Sequence, residues 1–171
     1  ERKNQLFALK IFHLLYNRYN NCNIHFVGKM EKKYFTKLKA FVRSKNIENR
    51  IQFHGYRPDY IRYIKHADII TLTSKSEGVS RILRESMLLK TPIIASKISG
   101  TIEILRDGCG YLIDGFNEKN FYKAFCDLID NDFLKKEMVN LAFDRYNKVY
   151  SNKAYKKNLQ NLLKLIDDKS K

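Results

Sequence analysis

The chain has 171 residues, 44% hydrophobic and 13% aromatic, which suffices for one domain with a sizeable core and excludes a disordered segment. Its formal net charge of +15 fits an anionic membrane surface, nucleic acid, or simply a lysine-rich solvated surface; no zinc-finger, RNA-recognition or basic-zipper pattern is present, so no specific nucleic-acid partner is expected. Three cysteines without CxxC spacing exclude a disulfide framework and a structural zinc site, and no apolar run is long enough to span a bilayer as a helix.

Taken in order, Leu6, Phe7, Leu9, Ile11, Phe12, Leu14 and Leu15 recur as one helical face. Asn23–Val27 reads as a strand ending at Gly28. Tyr34, Leu38, Phe41 and Val42 mark a second helix with lysines on its other side. Arg50–Phe53 is a short strand closed by His54-Gly55, and a short helix over Asp59–Lys65 follows Pro58. Asp68–Leu72 is an apolar strand that runs into the loop Thr73-Ser74-Lys75-Ser76-Glu77-Gly78. A helix is expected over Ser80–Leu89, a strand over Pro92–Ala95, a helical turn over Thr101–Leu105 and a last strand over Gly110–Ile113. Helices over Glu118–Ile129, Asp132–Tyr150 and Ala154–Asp167 close the chain, the last with core spacing from Leu159 to Ile166.

Short strands separated by helical stretches imply crossover connections and a parallel sheet. The expected class is α/β, a doubly wound Rossmann-like parallel sheet flanked by helices, with extra helices at the C-terminus. Residues 1–171 read as one domain, with 151–171 as its C-terminal helix. Ligands of such sheets bind beyond the carboxyl ends of the strands, which is where the loop after Asp68–Leu72 must lie.

That loop carries the chemistry. Glu77 and Glu85, eight positions apart, bracket a Gly-Val-Ser turn that opens a helix. Backbone N–H groups at a helix start favour an anion, with an interaction of roughly 0.3–2 kcal/mol. Gly78 leaves room for a ligand to approach the backbone, Val79 and Ser80 offer N–H groups, and Ser80 is placed to cap the helix. Glu85 lies roughly 7 Å further along the helix axis. A carboxylate on each side of a phosphate site accepts hydrogen bonds from hydroxyls at both ends of a rod-shaped ligand with an anionic middle. A nucleotide sugar has that shape. Arg81, in the first helical turn, is a further candidate for phosphate. No Ser-His-Asp set, metal-ligand cluster or P-loop is present, and His13, His25 and His66 fall in structural patterns.

Beyond these residues the chain resembles the C-terminal, donor-binding half of the GT-B-fold retaining nucleotide-sugar glycosyltransferases of family four. The resemblance runs in one order over nearly the whole chain: Arg2-Lys3-Asn4-Gln5 at the first helix, Ile24-His25-Phe26-Val27-Gly28, Ile51-Gln52-Phe53-His54-Gly55, Ala67-Asp68, the Glu77-to-Glu85 motif with Ser86-Met87, Thr91-Pro92-Ile93-Ile94-Ala95-Ser96, and Ser99-Gly100-Thr101-Ile102-Glu103 through Asp107-Gly108. Departures are Ser99-Gly100 for the family's Gly-Gly, and Val79-Ser80 where the family often has an aromatic-Gly pair. The family's first strand, its phosphate-binding Gly-Arg and its acceptor domain would precede Glu1.

The resemblance implies roles. Glu77 holds hydroxyls of the transferred sugar, Lys3 neutralises the donor diphosphate, and Glu85 binds the ribose hydroxyls. Gly78, Val79, Ser80 and Arg81 line the diphosphate, while His54 and Tyr56 stand where family members contact the base. No metal or other cofactor is expected at the donor site. The expected partners are a nucleotide-sugar donor, a glycan or glycolipid acceptor bound by an N-terminal domain, and an anionic membrane surface at the cytoplasmic face. The rival expectations are a non-catalytic nucleotide-binding module and a nucleotide-sugar epimerase of the same architecture.

Overall fold

The computed structural model describes the backbone of residues 1–169 and the side chains of residues 1–160. Helix α1 (Gln5–Arg18) leads to strand β1 (Ile24–Val27), helix α2 (Lys32–Ser44) and, after a 3₁₀ turn, strand β2 (Ile51–Gly55). Then come α3 (Ile61–His66), β3 (Ile70–Leu72), α4 (Arg81–Leu88), β4 (Ile93–Ser96), α5 (Ser99–Leu105) and β5 (Tyr111–Ile113). Helices α6 (Glu118–Asp130) and α7 (Asp132–Arg145), a π-helical turn (Tyr146–Tyr150) and α8 (Asn152–Lys169) complete the chain. Among the described residues no helix is long and apolar enough to cross a membrane.

Each element forms where its apolar spacing demands. In β4 all four side chains are buried, as expected of a strand covered on both faces. In α6, Phe121, Ala124 and Leu128 recur at helical spacing and face inward. Asn117 caps α6 by accepting from the Asn120 N–H at 3.1 Å, and Asn131 caps α7 by accepting from the Leu134 N–H at 3.0 Å. The single long helix expected over Asp132–Tyr150 instead loosens at Tyr146. There the Ser151 N–H reaches back to the Tyr146 carbonyl at 3.0 Å, a wider turn than the α-helical one. Of the core spacing read from Leu159 to Ile166, Leu159 is exposed rather than buried, and the side chains beyond residue 160 lie outside the described ones.

All strand pairs are parallel, and they hydrogen-bond in two sets, β1–β2 and β3–β4–β5. Among the described residues, β1 and β3 therefore each have one hydrogen-bonded neighbour. Helix α1 joins the two sets through the core. Phe7, Ile11 and Leu15 pack with Ile94 of β4, Ile113 of β5 and Phe121 of α6. Ala8, Leu9 and Phe12 pack with Phe26 of β1, Leu38 and Val42 of α2 and Ile51 of β2. A helix with two buried faces must be apolar over most of its circumference, and that is why its hydrophobic positions are so dense. Each such side chain contributes about 1.5–3 kcal/mol by burial.

The leading residues of α1 are stitched to the loop that leaves β3. Thr73 Oγ1 donates to the Lys3 and Asn4 carbonyls at 3.1 and 3.2 Å, and the Lys75 N–H donates to the Arg2 carbonyl at 2.9 Å. The start of α1 is thus fixed at the carboxyl end of β3. A third cluster, with Leu72, Leu83, Met87, Ile93 and Ile104, seats α4 and α5 on that side of the sheet.

Candidate functional site

The loop after β3 lies at the edge that the parallel-sheet rule selects. The Glu77 side chain is only 7% exposed, although it carries a charge, and Lys3 Nζ forms an ion pair and hydrogen bond with its Oε1. Burial pushes this carboxyl up. The hydrogen bond from Lys3, the nearby Ser74 hydroxyl and the charges of Lys3 and Arg2 together outweigh burial and hold its pKa below the usual carboxylate range. Ser74 is itself buried, and its hydroxyl meets the full geometry of a hydrogen bond with no protein group, so it acts on the carboxylate from nearby rather than as a formed bond.

The loop's path depends on a glycine outside it. A Cβ on Gly100, at the start of α5, would sit 2.1 Å from the Gly78 carbonyl oxygen and 2.5 Å from that of Glu77. Any side chain there would displace the Glu77–Gly78 peptide. Gly78 is the opposite case. A Cβ on it would meet nothing within 4 Å, and its φ is not in the left-handed region. Neither crowding nor backbone conformation demands glycine at 78, which leaves open space in front of the loop backbone.

Beyond the loop, Val79 is 71% exposed and Arg81 is also exposed, while Ser80 is buried. Ser80 occupies the N-cap position of α4 with extended backbone, but its side chain makes no capping hydrogen bond. The expected side-chain cap is therefore corrected: the Ser80 hydroxyl bonds no N–H group of the first turn of α4, which has no side-chain acceptor at the cap. At the α5 start, Thr101 does the capping, accepting from the Ile98 N–H at 3.0 Å.

Glu85 is half-buried in the second turn of α4, and its partner is one that sequence reasoning missed. Tyr60 Oη donates to Glu85 Oε1 at 2.7 Å. That bond, then burial, then the Glu85 charge raise the Tyr60 phenol above its ordinary value, while Arg81 opposes the shift and Tyr56 adds to it. Tyr56 is 68% exposed, with Lys29 Nζ 5.7 Å from its ring centre.

His54 is tied into the protein rather than left free. Its ring stacks on His25 with centroids 5.2 Å apart, His25 Nδ1 and His54 Nε2 lie 2.9 Å apart, and Tyr63 Oη approaches His54 Nδ1 at 3.3 Å. Burial, then the charges of His25 and Arg57, lower its pKa. Ser86, where the resemblance suggested alanine, is fully buried and satisfied by the Ile82 carbonyl of its own helix at 2.7 Å.

The structure thus brings Lys3 to Glu77 and Tyr60 to Glu85, with Gly78 at the open turn of the loop before α4. A cavity of about 420 Å³ lies elsewhere, between the end of α1 and helices α6 and α7, and is lined by Arg18, Tyr122, Asp127 and Asp130. Asp130 there pairs with Arg18 at 2.7 Å and accepts from Tyr19, so its carboxylate is already engaged. The ligand-shaped arrangement of charges is at the loop, on an open surface, and we take that as the site.

Comparison with known proteins identifies the family and the fold. The family described as Glycosyl transferases group 1 matches residues 1–145. A poly(ribitol-phosphate) alpha-N-acetylglucosaminyltransferase of Staphylococcus aureus is 24% identical over 148 residues, covering 85% of this chain and 30% of that protein. The Anabaena protein HepE, solved in complex with UDP, superposes with a TM-score of 0.83 at 20% identity, covering 97% of this chain and 46% of HepE. The C-terminal domain of a group 1 glycosyl transferase from Francisella tularensis superposes with a TM-score of 0.79 at 20% identity, covering 88% of this chain and 81% of that domain. The chain spans less than half the length of the first two relatives.

Proposed function

This chain belongs to the glycosyl transferases group 1 family, and we propose that within it the chain is the donor-binding domain of a retaining enzyme of family four, which moves a sugar from a nucleoside diphosphate to an acceptor hydroxyl. Its α/β fold is that of the C-terminal domain of GT-B glycosyltransferases. The observation that carries the proposal is Glu77: a nearly buried carboxylate, kept ionised by Lys3, in a loop that opens a helix at the carboxyl edge of a parallel sheet.

In this reading the diphosphate lies over the start of α4, against the N–H groups of Val79 and Ser80, with Arg81 beside it. Their donors cost no reorganisation when the leaving diphosphate gains charge. Lys3 neutralises that charge from the other side and Glu77 orients hydroxyls of the sugar, so that reaction begins from an aligned pair. The departing phosphate takes the acceptor's proton on the same face, and the anomeric configuration is retained. Glu85 binds the ribose hydroxyls, with Tyr56 and His54 toward the base. The donor site works without a metal.

The rest of the enzyme is part of the proposal. A strand preceding α1 fits between β1 and β3, each of which has one hydrogen-bonded neighbour, and the start of α1 is already fixed at the carboxyl end of β3. In the doubly wound order the strand before the first helix takes that central place. An N-terminal domain supplies the acceptor, a glycan or glycolipid of surface polysaccharide synthesis. The charge of +15 suits docking on the anionic cytoplasmic leaflet.

Calorimetry of the chain with uridine, guanosine and adenosine diphosphates tests the donor site, with weak binding of at least one expected and none of the three bound counting against it. In the full-length protein, Glu77→Ala is expected to abolish transfer. Retained transfer would contradict the assignment. Loss of sugar from the donor with no acceptor present, giving an epimerised sugar, would replace it with the epimerase reading.

A further inference from the structure

The contact between Tyr60 and Glu85 joins residues 25 positions apart, across two helices. Tyr60 sits at the N-cap of α3, and α3 is anchored independently of any ligand. Ile64 is 2% exposed in the core, and Thr91 Oγ1, just past α4, donates to the Ile64 carbonyl at 2.9 Å. The phenol is therefore held by a fixed helix and points its O–H at a carboxylate on the neighbouring one. It engages Oε1 alone. Among the described residues, Oε2 of Glu85 makes no hydrogen bond or ion pair.

A glutamate side chain on a half-buried helix face has several rotamers, and a carboxylate can bind vicinal hydroxyls well only in the one that aims its free oxygen at them. We propose that Tyr60 is a positioning residue for Glu85: by taking Oε1 it locks the carboxylate plane and presents Oε2 to a pair of ribose hydroxyls, so that the discrimination between ribose and deoxyribose in the donor depends on Tyr60. The proposal rests on the reading that Glu85 meets the ribose. The phenol also matches its partner chemically. It donates one proton and brings no positive charge, so the carboxylate keeps its full capacity to accept from neutral hydroxyls.

The test compares binding of UDP and 2′-deoxy-UDP to the full-length protein and to its Tyr60→Phe variant. Phenylalanine keeps the ring, and a thermal melt checks that the fold is unchanged. The expected result is that the unmutated protein prefers UDP, that Tyr60→Phe weakens UDP binding about tenfold, and that it leaves 2′-deoxy-UDP binding nearly untouched, so that the preference collapses. A proportional loss for both nucleotides would show a merely structural tyrosine, and an unchanged preference an idle one; either overturns the proposal while leaving Glu85 at the ribose. If the unmutated protein itself does not prefer UDP over its 2′-deoxy form, the placement of Glu85 fails first and the role of Tyr60 with it.

Discussion

Glu77 and Glu85 flank the same helix start, yet the protein prepares them in unlike ways. Glu77 is nearly buried and faces a cation, and its own carbonyl and that of Gly78 lie against Gly100, which leaves the loop no slack. Its state is set by electrostatics: removed from water, it stays ionised because Lys3, Arg2 and Ser74 outweigh the cost of burial. Glu85 is half-buried and faces a neutral phenol, so charge plays little part and direction is what its partner supplies. The lesson is that a symmetric-looking sequence motif can hide two devices. One end of the mouth should respond to charge and pH, and the other to the geometry of a single hydroxyl.

The largest expected effect comes from Gly100→Ala. The new methyl would lie 2.1 Å from a backbone oxygen of the loop, so the Glu77 end must move while Tyr60 and Glu85 stay. Overpacking of this kind costs about 1–3 kcal/mol, or several degrees in Tm. Nucleotide affinity should fall while any preference for UDP over its deoxy form survives. Gly78→Ala is the control, since its methyl meets open space and the melt should not move.

Next, Glu77→Gln in the full-length protein keeps the shape and removes the charge. A transfer rate reduced about 10²-fold with nucleotide binding changed only slightly is expected, because the sugar rather than the nucleotide loses its orientation. Glu85→Gln should do the reverse, weakening nucleotide binding more than it slows the bound donor. Equal behaviour of the two variants would erase the contrast drawn above.

Lys3→Met sharpens the electrostatic half. Burial then meets less opposition, so the Glu77 carboxyl should titrate at higher pH than in the unmutated protein, as read by carbon NMR of the carboxylate. The sign follows for stability. With Lys3 present the folded pKa lies below the unfolded one, so the pair's contribution is complete above the ordinary carboxylate range and is lost as pH falls through it. With methionine that dependence should shrink or reverse.

The smallest effect belongs to His54. Its folded pKa is lowered, so its contribution is present above the ordinary histidine pKa and is lost as pH falls through and below it. His54→Gln should flatten the pH dependence of stability measured by urea denaturation over that range. An unaltered profile would mean that burial beside His25 and Arg57 does not govern its titration.

What could be seen in the sequence follows from which forces are local. The strands and helices were legible because burial imposes a spacing that neighbours in the chain carry, as in β4 and α6. The loop between β3 and α4 was legible because its glycine and acids are contiguous. Lys3 was reached through resemblance alone, since nothing near it in the chain hints at a partner 74 positions on. Tyr60, His25 with His54, and Gly100 under the Glu77–Gly78 peptide were hidden for the same reason: each is a contact made only once separate elements pack. The two sets of strands were hidden too, because apolar spacing says that a strand is covered and not which strand lies beside it. Ser80 misled for a local reason, as a serine at a helix start is expected to cap it and here its hydroxyl makes no such bond.

The central claim, that a nucleoside diphosphate lies across the start of α4, is tested most directly by hydrogen exchange of the full-length protein with and without UDP, GDP and ADP. The account predicts that at least one nucleotide slows exchange over residues 73–85 and at the start of α1, and leaves the Arg18–Asp130 cavity unchanged. Protection confined to that cavity, or to α6 and α7, with residues 73–85 unaffected by all three nucleotides, would contradict it.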